Sequence, residues 1–91
     1  MPIALNDTAA AGRLIAAGRM LAGWDQGRLA QAARVSSSTV SNVERGSDSR
    51  DDTIKALRRA LRQQGVTLAF DKTNGLAVAA LSFEAPEDDD E

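Results

Sequence analysis

Two short stretches of helical periodicity, residues 26–33 and 36–45, are separated only by Arg34 and Val35. That spacing leaves room for nothing but a tight turn between two short helices. Asp25 precedes the first and Ser36 opens the second as its cap, and each can accept a hydrogen bond from the free N–H groups of the following turn. Leu29, Ala30 and Ala33 fall on one side of the first helix, and Val40 and Val43, at i and i+3, on one side of the second. Gly46 is suited to end it. By composition, residues 35–46 (Val-Ser-Ser-Ser-Thr-Val-Ser-Asn-Val-Glu-Arg-Gly) resemble a serine-rich linker. Their apolar spacing instead makes an amphipathic helix whose outer face is Ser, Thr and Asn.

The flanks supply longer elements. Asn6, Asp7 and Thr8 are candidate caps for a helix over 9–22. In it Leu14, Ile15, Gly18, Leu21 and Ala22 recur at helical spacing, and Gly23 is its stop. Beyond the loop at 46–50, a fourth helix starts at Asp51 or Asp52 and ends at Gly65. Its buried stripe is Ile54, Leu57, Ala60 and Leu61, with Lys55, Arg58, Arg59 and Arg62 as a solvated face. From Val66 the period changes to two, and Asn74-Gly75 is a strong hairpin-turn signal. A two-residue turn there pairs Phe70 with Ala79, Leu68 with Leu81 and Val66 with Phe83, and keeps one face apolar throughout. The second strand is apolar on nearly both faces, which leaves a lone ribbon sticky. The expectation is that a second copy covers it, through Val66, Leu68, Phe70, Val78, Leu81 and Phe83.

Composition narrows the chemistry. The 91 residues allow one domain with a modest core, and they include neither Cys nor His. Disulfides, thiol chemistry, structural zinc and the commonest general base are thereby removed. No EF-hand-like spacing of carboxylates appears, and the serine cluster has no base beside it. Neither catalysis, a metal nor a cofactor is expected. No apolar run approaches the ~20 residues that span a bilayer, and no export signal is visible, so a cytoplasmic protein is expected. The net charge of −2 conceals an uneven distribution. Residues 84–91 carry six acids and no base, leaving 11 basic and seven acidic residues before them, a body of +4. A basic body with an acidic, disordered tail is a pattern of nucleic-acid binders.

The turn between the two short helices is that of a helix-turn-helix, and the residues around it follow a family pattern. Arg19, Trp24, Asp25, Gln26, Leu29, Ala30, Ala33, Val35, Ser36, Thr39, Val40, Ser41, Val43, Glu44, Arg45 and Gly46 stand at the spacing of the Cro/repressor-type (xenobiotic-response-element, XRE) helix-turn-helix family, which the chain closely resembles. Thr53, Leu57, Ala60, Leu61, Gly65 and Val66 resemble that family's fourth helix and exit, so the resemblance covers about residues 13–66. It implies a mainly α fold: a four-helix repressor-like DNA-binding domain over 1–65, then the C-terminal β-hairpin at 66–83 and the tail at 84–91. It implies that Arg19 pairs with Glu44, tying the first helix to the end of the third. Trp24 is expected to pack between the first two helices.

The same resemblance makes the third helix the one that enters the major groove, with Ser37, Ser38 and Asn42 facing base edges. Asn42 suits a bidentate contact to adenine, and the serine hydroxyls donate or accept. Many members carry longer Arg or Gln where this chain has Ser37 or Ser38, so thymine methyls and DNA shape are expected to contribute more. Gln26, Thr39, Arg45, Ser47 and Arg50 are the expected contacts to the sugar-phosphate backbone. The expected function is a homodimeric, sequence-specific repressor of transcription at an inverted repeat on double-stranded DNA, associated with the nucleoid when bound. The alternative is an antitoxin-like protein that binds a partner and autoregulates its operon. A toxin, a co-regulator or polymerase is the candidate protein partner.

Overall fold

The computed structural model describes residues 7–83 apart from 49 and 72. Six elements follow in order: α1 (Asp7–Leu21), α2 (Gln26–Ala33), α3 (Ser37–Glu44), α4 (Asp51–Gln63), β1 (Val66–Asp71) and β2 (Leu76–Leu81). The four helices and the antiparallel hairpin are those expected, with ends that differ by a residue or two. Asp7 and Thr8 lie inside the first turn of α1 rather than before it, and the candidate cap Asn6 is outside the described residues, as is the 84–91 tail.

Backbone chemistry explains where the helices stop. At the end of α1, Gly23 takes φ +77, which lets its N–H donate to Met20 C=O (3.0 Å) and the Trp24 N–H to Arg19 C=O (3.1 Å). This pair of bonds satisfies carbonyls that the helix leaves open. The end of α2 uses the same geometry, but the left-handed residue is Arg34 (φ 62, ψ 44). Its side chain makes that conformation costlier than it is for glycine, by about 1 kcal/mol. Without a glycine at this turn, the sequence carries no conformational marker for it.

One core joins all four helices to the first strand. It holds Leu14 and Ile15 of α1, Leu29 and Ala30 of α2, Val40 and Val43 of α3, Leu57, Ala60 and Leu61 of α4, and Val66 and Leu68 of β1. Ala30 allows α2 and α3 to cross closely. Gly12 does the same for α1, because a Cβ there would collide with the backbone carbonyls of Val43 and Glu44 at the end of α3. Trp24 is half-buried against the core, with the Arg28 guanidinium stacked 5.1 Å from its ring centroid. No buried side-chain nitrogen or oxygen among the described residues lacks a partner.

The hairpin departs from the expected register. Val66 faces Leu81, Leu68 faces Ala79 and Phe70 faces Ala77, a slip of two residues, and Asp71 faces Leu76 across a four-residue loop. The Asp71 carboxylate explains the longer loop, accepting from the Asn74 N–H (3.2 Å) and the Asn74 side-chain amide (2.7 Å). Among the described loop residues Gly75 alone takes a positive φ (+69), whereas the two-residue turn needs one at Asn74 as well. A slip of two keeps every side chain on its expected face, so apolar alternation is satisfied by either register.

Two further expectations are corrected. Val66 and Leu68, assigned to dimerisation, are buried in this chain's own core, because α1 and α4 cover that side of β1. Gly18 on α1 makes the approach possible: a Cβ there would stand 2.8 Å from Leu68 Cδ2 and 3.3 Å from Val66 Cγ1. Arg58 is not a purely solvated charge either, since it is half-buried and donates to the Leu68 carbonyl at 2.8 Å.

Candidate nucleic-acid interface

The surface opposite the core is built by α2, the turn at 34–36 and α3. Each short helix starts on a working cap: Asp25 Oδ1 accepts from the Arg28 N–H at 2.8 Å, and Ser36 Oγ from the Thr39 N–H at 3.0 Å. The two N-termini adjoin, since a Cβ on Gly27 would lie 3.9 Å from Ser37 Oγ. Adjacent helix N-termini present partial positive charge and N–H donors on one side of the molecule.

A polar cluster fixes this unit on α1. Arg19 grips Glu44 with two bonds, Nε to Oε2 at 2.7 Å and Nη2 to Oε1 at 3.1 Å, and its Nη1 donates to the Trp24 carbonyl at 2.9 Å. Gln26 Nε2 donates to Glu44 Oε1 at 3.0 Å. One carboxylate therefore holds together α1, the start of α2 and the end of α3. Hydrogen bonding to Glu44 raises the Arg19 pKa above its ordinary value, against the opposing effect of burial. Side-chain exposures of 14% for Arg19 and 8% for Glu44 mean that little water competes for this pair. Its main effect is on geometry, because desolvating two charges offsets much of their attraction.

On α3, successive side chains turn by about 100° around the axis. Val40 and Val43 are buried, so the stripe opposite them is Ser38, Asn42 and Arg45, at i, i+4 and i+7. Ser38 and Arg45 are exposed and Asn42 is half-buried. Ser37, also exposed, lies about a quarter turn away. Arg45 stands one residue past the helix but keeps helical dihedrals (φ −83, ψ −4), so it continues the stripe. Its Nη2 donates to Asn42 Oδ1 at 2.6 Å.

The residues expected to meet phosphates carry different local commitments. Thr39 is half-buried and shares a 2.9 Å hydroxyl contact with the cap Ser36. Ser47 closes α3, its N–H and hydroxyl both donating to the Asn42 carbonyl, at 2.9 and 3.1 Å. Arg50 is exposed and paired with Asp48, Nη2 to Oδ2 at 3.0 Å and Nε to Oδ1 at 3.3 Å. The guanidinium holds the Asp48 carboxyl below the usual carboxylate range. Asp48 is thus a partner of Arg50 not assigned from sequence, although a carboxylate two residues before an arginine is its visible signal. Among the described residues no cluster of carboxylates is arranged to hold a metal ion.

Two capped helices across a tight turn, with the outer face of the second polar and unobstructed, form a helix-turn-helix. The family model for Helix-turn-helix (HTH_3) matches residues 15–68, more than half of the chain. The protein is a member of that family, of the XRE type, whose members are DNA-binding regulators of transcription. The match takes in all of α2, α3 and α4 and ends inside β1, leaving β2 beyond it. No curated protein and no solved structure gives a significant match to the chain. No helix among the described residues is long and apolar enough to cross a membrane.

Proposed function

We propose that this regulator is a homodimeric repressor, each subunit placing α3 in the major groove of one half-site of an inverted repeat in nucleoid DNA. The observation that carries the reading is the Ser38, Asn42 and Arg45 stripe, held outward by Val40 and Val43 and braced by the Glu44 cluster. Ser37, Ser38 and Asn42 serve as base contacts, with direct readout limited by the short serine side chains. Gln26, Thr39, Arg45, Ser47 and Arg50 border the same surface as candidate phosphate ligands. For Gln26, the hydrogen bond its amide donates to Glu44 fixes the side chain at the start of α2, where N–H groups point outward. A DNA-binding domain of this kind seated over a promoter blocks polymerase, which favours repression, with occupancy set by its own concentration.

Dimerisation is assigned to the hairpin. Phe70, Leu76, Val78, Leu81 and Phe83 are exposed large apolar side chains, and β2 has no charged residue along its length. Two-fold pairing sets the same patch of both subunits face to face, so a patch of one charge meets its like; an uncharged strand tolerates this and the arginine-rich face of α4 does not. Half-site centres about 34 Å apart, or a multiple of that, are then expected. The direct test is electrophoretic mobility shift on DNA from the promoter region of the protein's own gene. A retarded band that weakens in Asn42→Ala with Gln26→Ala supports the reading. A band unchanged by both substitutions refutes the site, and no band at all refutes the regulator of its own promoter.

The same uncharged, exposed strand favours one second reading, an antitoxin-like protein whose hairpin holds a partner. Co-purification of a second chain that is lost with Val78→Lys supports it, whereas a self-associated dimer lost with the same change returns the hairpin to the first reading.

A further inference from the structure

We propose that Asn42 and Arg45 read DNA as one unit, and that this unit selects guanine over adenine at its position. The inference rests on the DNA-reading role of α3 and specifies its chemistry. Taken alone, Asn42 suits adenine, its amide donating to N7 and its oxygen accepting from the N6 amino group. The structure places Arg45 against that oxygen, Nη2 to Oδ1 at 2.6 Å. A guanidinium has donors and no acceptor, so the amide must turn its oxygen to Arg45 and its Nδ2 hydrogens elsewhere.

The oxygen keeps a second lone pair, but it lies beside a full positive charge. An adenine amino group brought there sets its partly positive hydrogens against the guanidinium. Guanine sets O6, an acceptor, in the same place and keeps N7 for the amide. Among the four bases only guanine shows two adjacent acceptors in the major groove, and Asn42 Nδ2 with the remaining Arg45 N–H groups offers donors to both. The neighbouring carboxylate on the helix, Glu44, is taken by Arg19 and Gln26 and does not neutralise the pair. The Asn42 carbonyl is also held, accepting from the Ser47 N–H and hydroxyl, so the backbone beneath the pair is fixed. Arg45 shares the outward stripe with Asn42, which adds base reading to the phosphate contact proposed for it.

The test is selection from randomised duplex DNA with the wild-type protein, Asn42→Ala and Arg45→Ala, followed by affinities on duplexes that differ at one position. The position at which Asn42→Ala loses discrimination is the one Asn42 reads. Guanine is expected there, preferred over adenine by about 5- to 100-fold. Arg45→Ala should lose that preference at the same position, or swing toward adenine as Oδ1 is released, while preferences at other positions persist. Because the readout is a ratio between bases, a general loss of affinity does not imitate it, and melting by circular dichroism shows whether both variants fold. Adenine preferred by the wild type, guanine preference retained in Arg45→Ala, or no position altered in Asn42→Ala each overturns the inference while leaving DNA binding intact. A wild-type protein that enriches no sequence overturns this inference and the DNA-reading role together.

Discussion

Replacing Gly12 with alanine tests how closely α1 must approach α3. A Cβ at this position would lie 2.9 Å from the Glu44 carbonyl oxygen and closer still to that of Val43, where ordinary contact begins at 3.4 Å. The obstacles are backbone atoms, and the Val43 oxygen already accepts from the Gly46 N–H at 2.9 Å, so neither can turn aside as a side chain would. α1 must therefore move outward. That movement loosens Leu14 and Ile15 in the core and stretches the 2.7 Å bond from Arg19 to Glu44. Overpacking of this kind costs typically about 1–3 kcal/mol, and rigid obstacles place the cost toward the upper end. Alanine recovers about 1 kcal/mol through its better helix propensity. The net loss of about 1–2 kcal/mol corresponds to a Tm lower by about 5–15 °C for a domain of this size. Thermal and urea denaturation of the wild type, Gly12→Ala and Gly27→Ala form the assay. Gly27 is the internal control, because its added Cβ meets nothing nearer than 3.5 Å, so the same substitution should stabilise by up to about 1 kcal/mol. A Gly12→Ala protein as stable as the wild type would refute the close approach.

Three further outcomes follow from the polar contacts. Glu44→Ala leaves Arg19 without its carboxylate in a site of low exposure and should cost about 3 kcal/mol, whereas Arg19→Met with Glu44→Leu should cost less than the sum of the single changes in a double-mutant cycle. Asp48→Ala releases Arg50, so affinity for DNA should rise at low salt and the salt dependence should steepen by about one phosphate contact, measured by fluorescence anisotropy across a salt series. Asp48 and Asp71 are both held below the usual carboxylate range, by Arg50 and by Asn74 respectively. A depressed folded pKa gives stability that is present above the unfolded value of about 3.9 and lost as pH falls through the folded values. Urea midpoints should therefore drop below about pH 4 by more in the wild type than in Asp48→Asn with Asp71→Asn, and equal drops would contradict the assignment.

The helices were legible because their signals are local. Asp25 and Ser36 cap within three residues, and both helices they start begin where the sequence places them. The family pattern added the pairing of Arg19 with Glu44, which 25 intervening residues would otherwise hide. The third helix's outward face was legible from Val40 and Val43 alone, since burying that pair leaves only one side for Ser38 and Asn42. What that face would engage locally was not. The spacing of three between Asn42 and Arg45 is about one turn of helix, which allows their contact without specifying it.

The sequence by itself determined the element order, the caps of α2 and α3, the change of period at Val66 and the polar outer face of α3, all of which depend on residues within about four positions of one another. Only the tertiary structure decided the hairpin register, the burial of Val66 and Leu68, the bond from Arg58 to Leu68 and the need for glycine at position 12. The physical reason is the same for each. Apolar alternation is unchanged by a slip of two, an exposed and a buried valine look alike in a strand, and a missing Cβ acquires meaning only when another backbone arrives beside it.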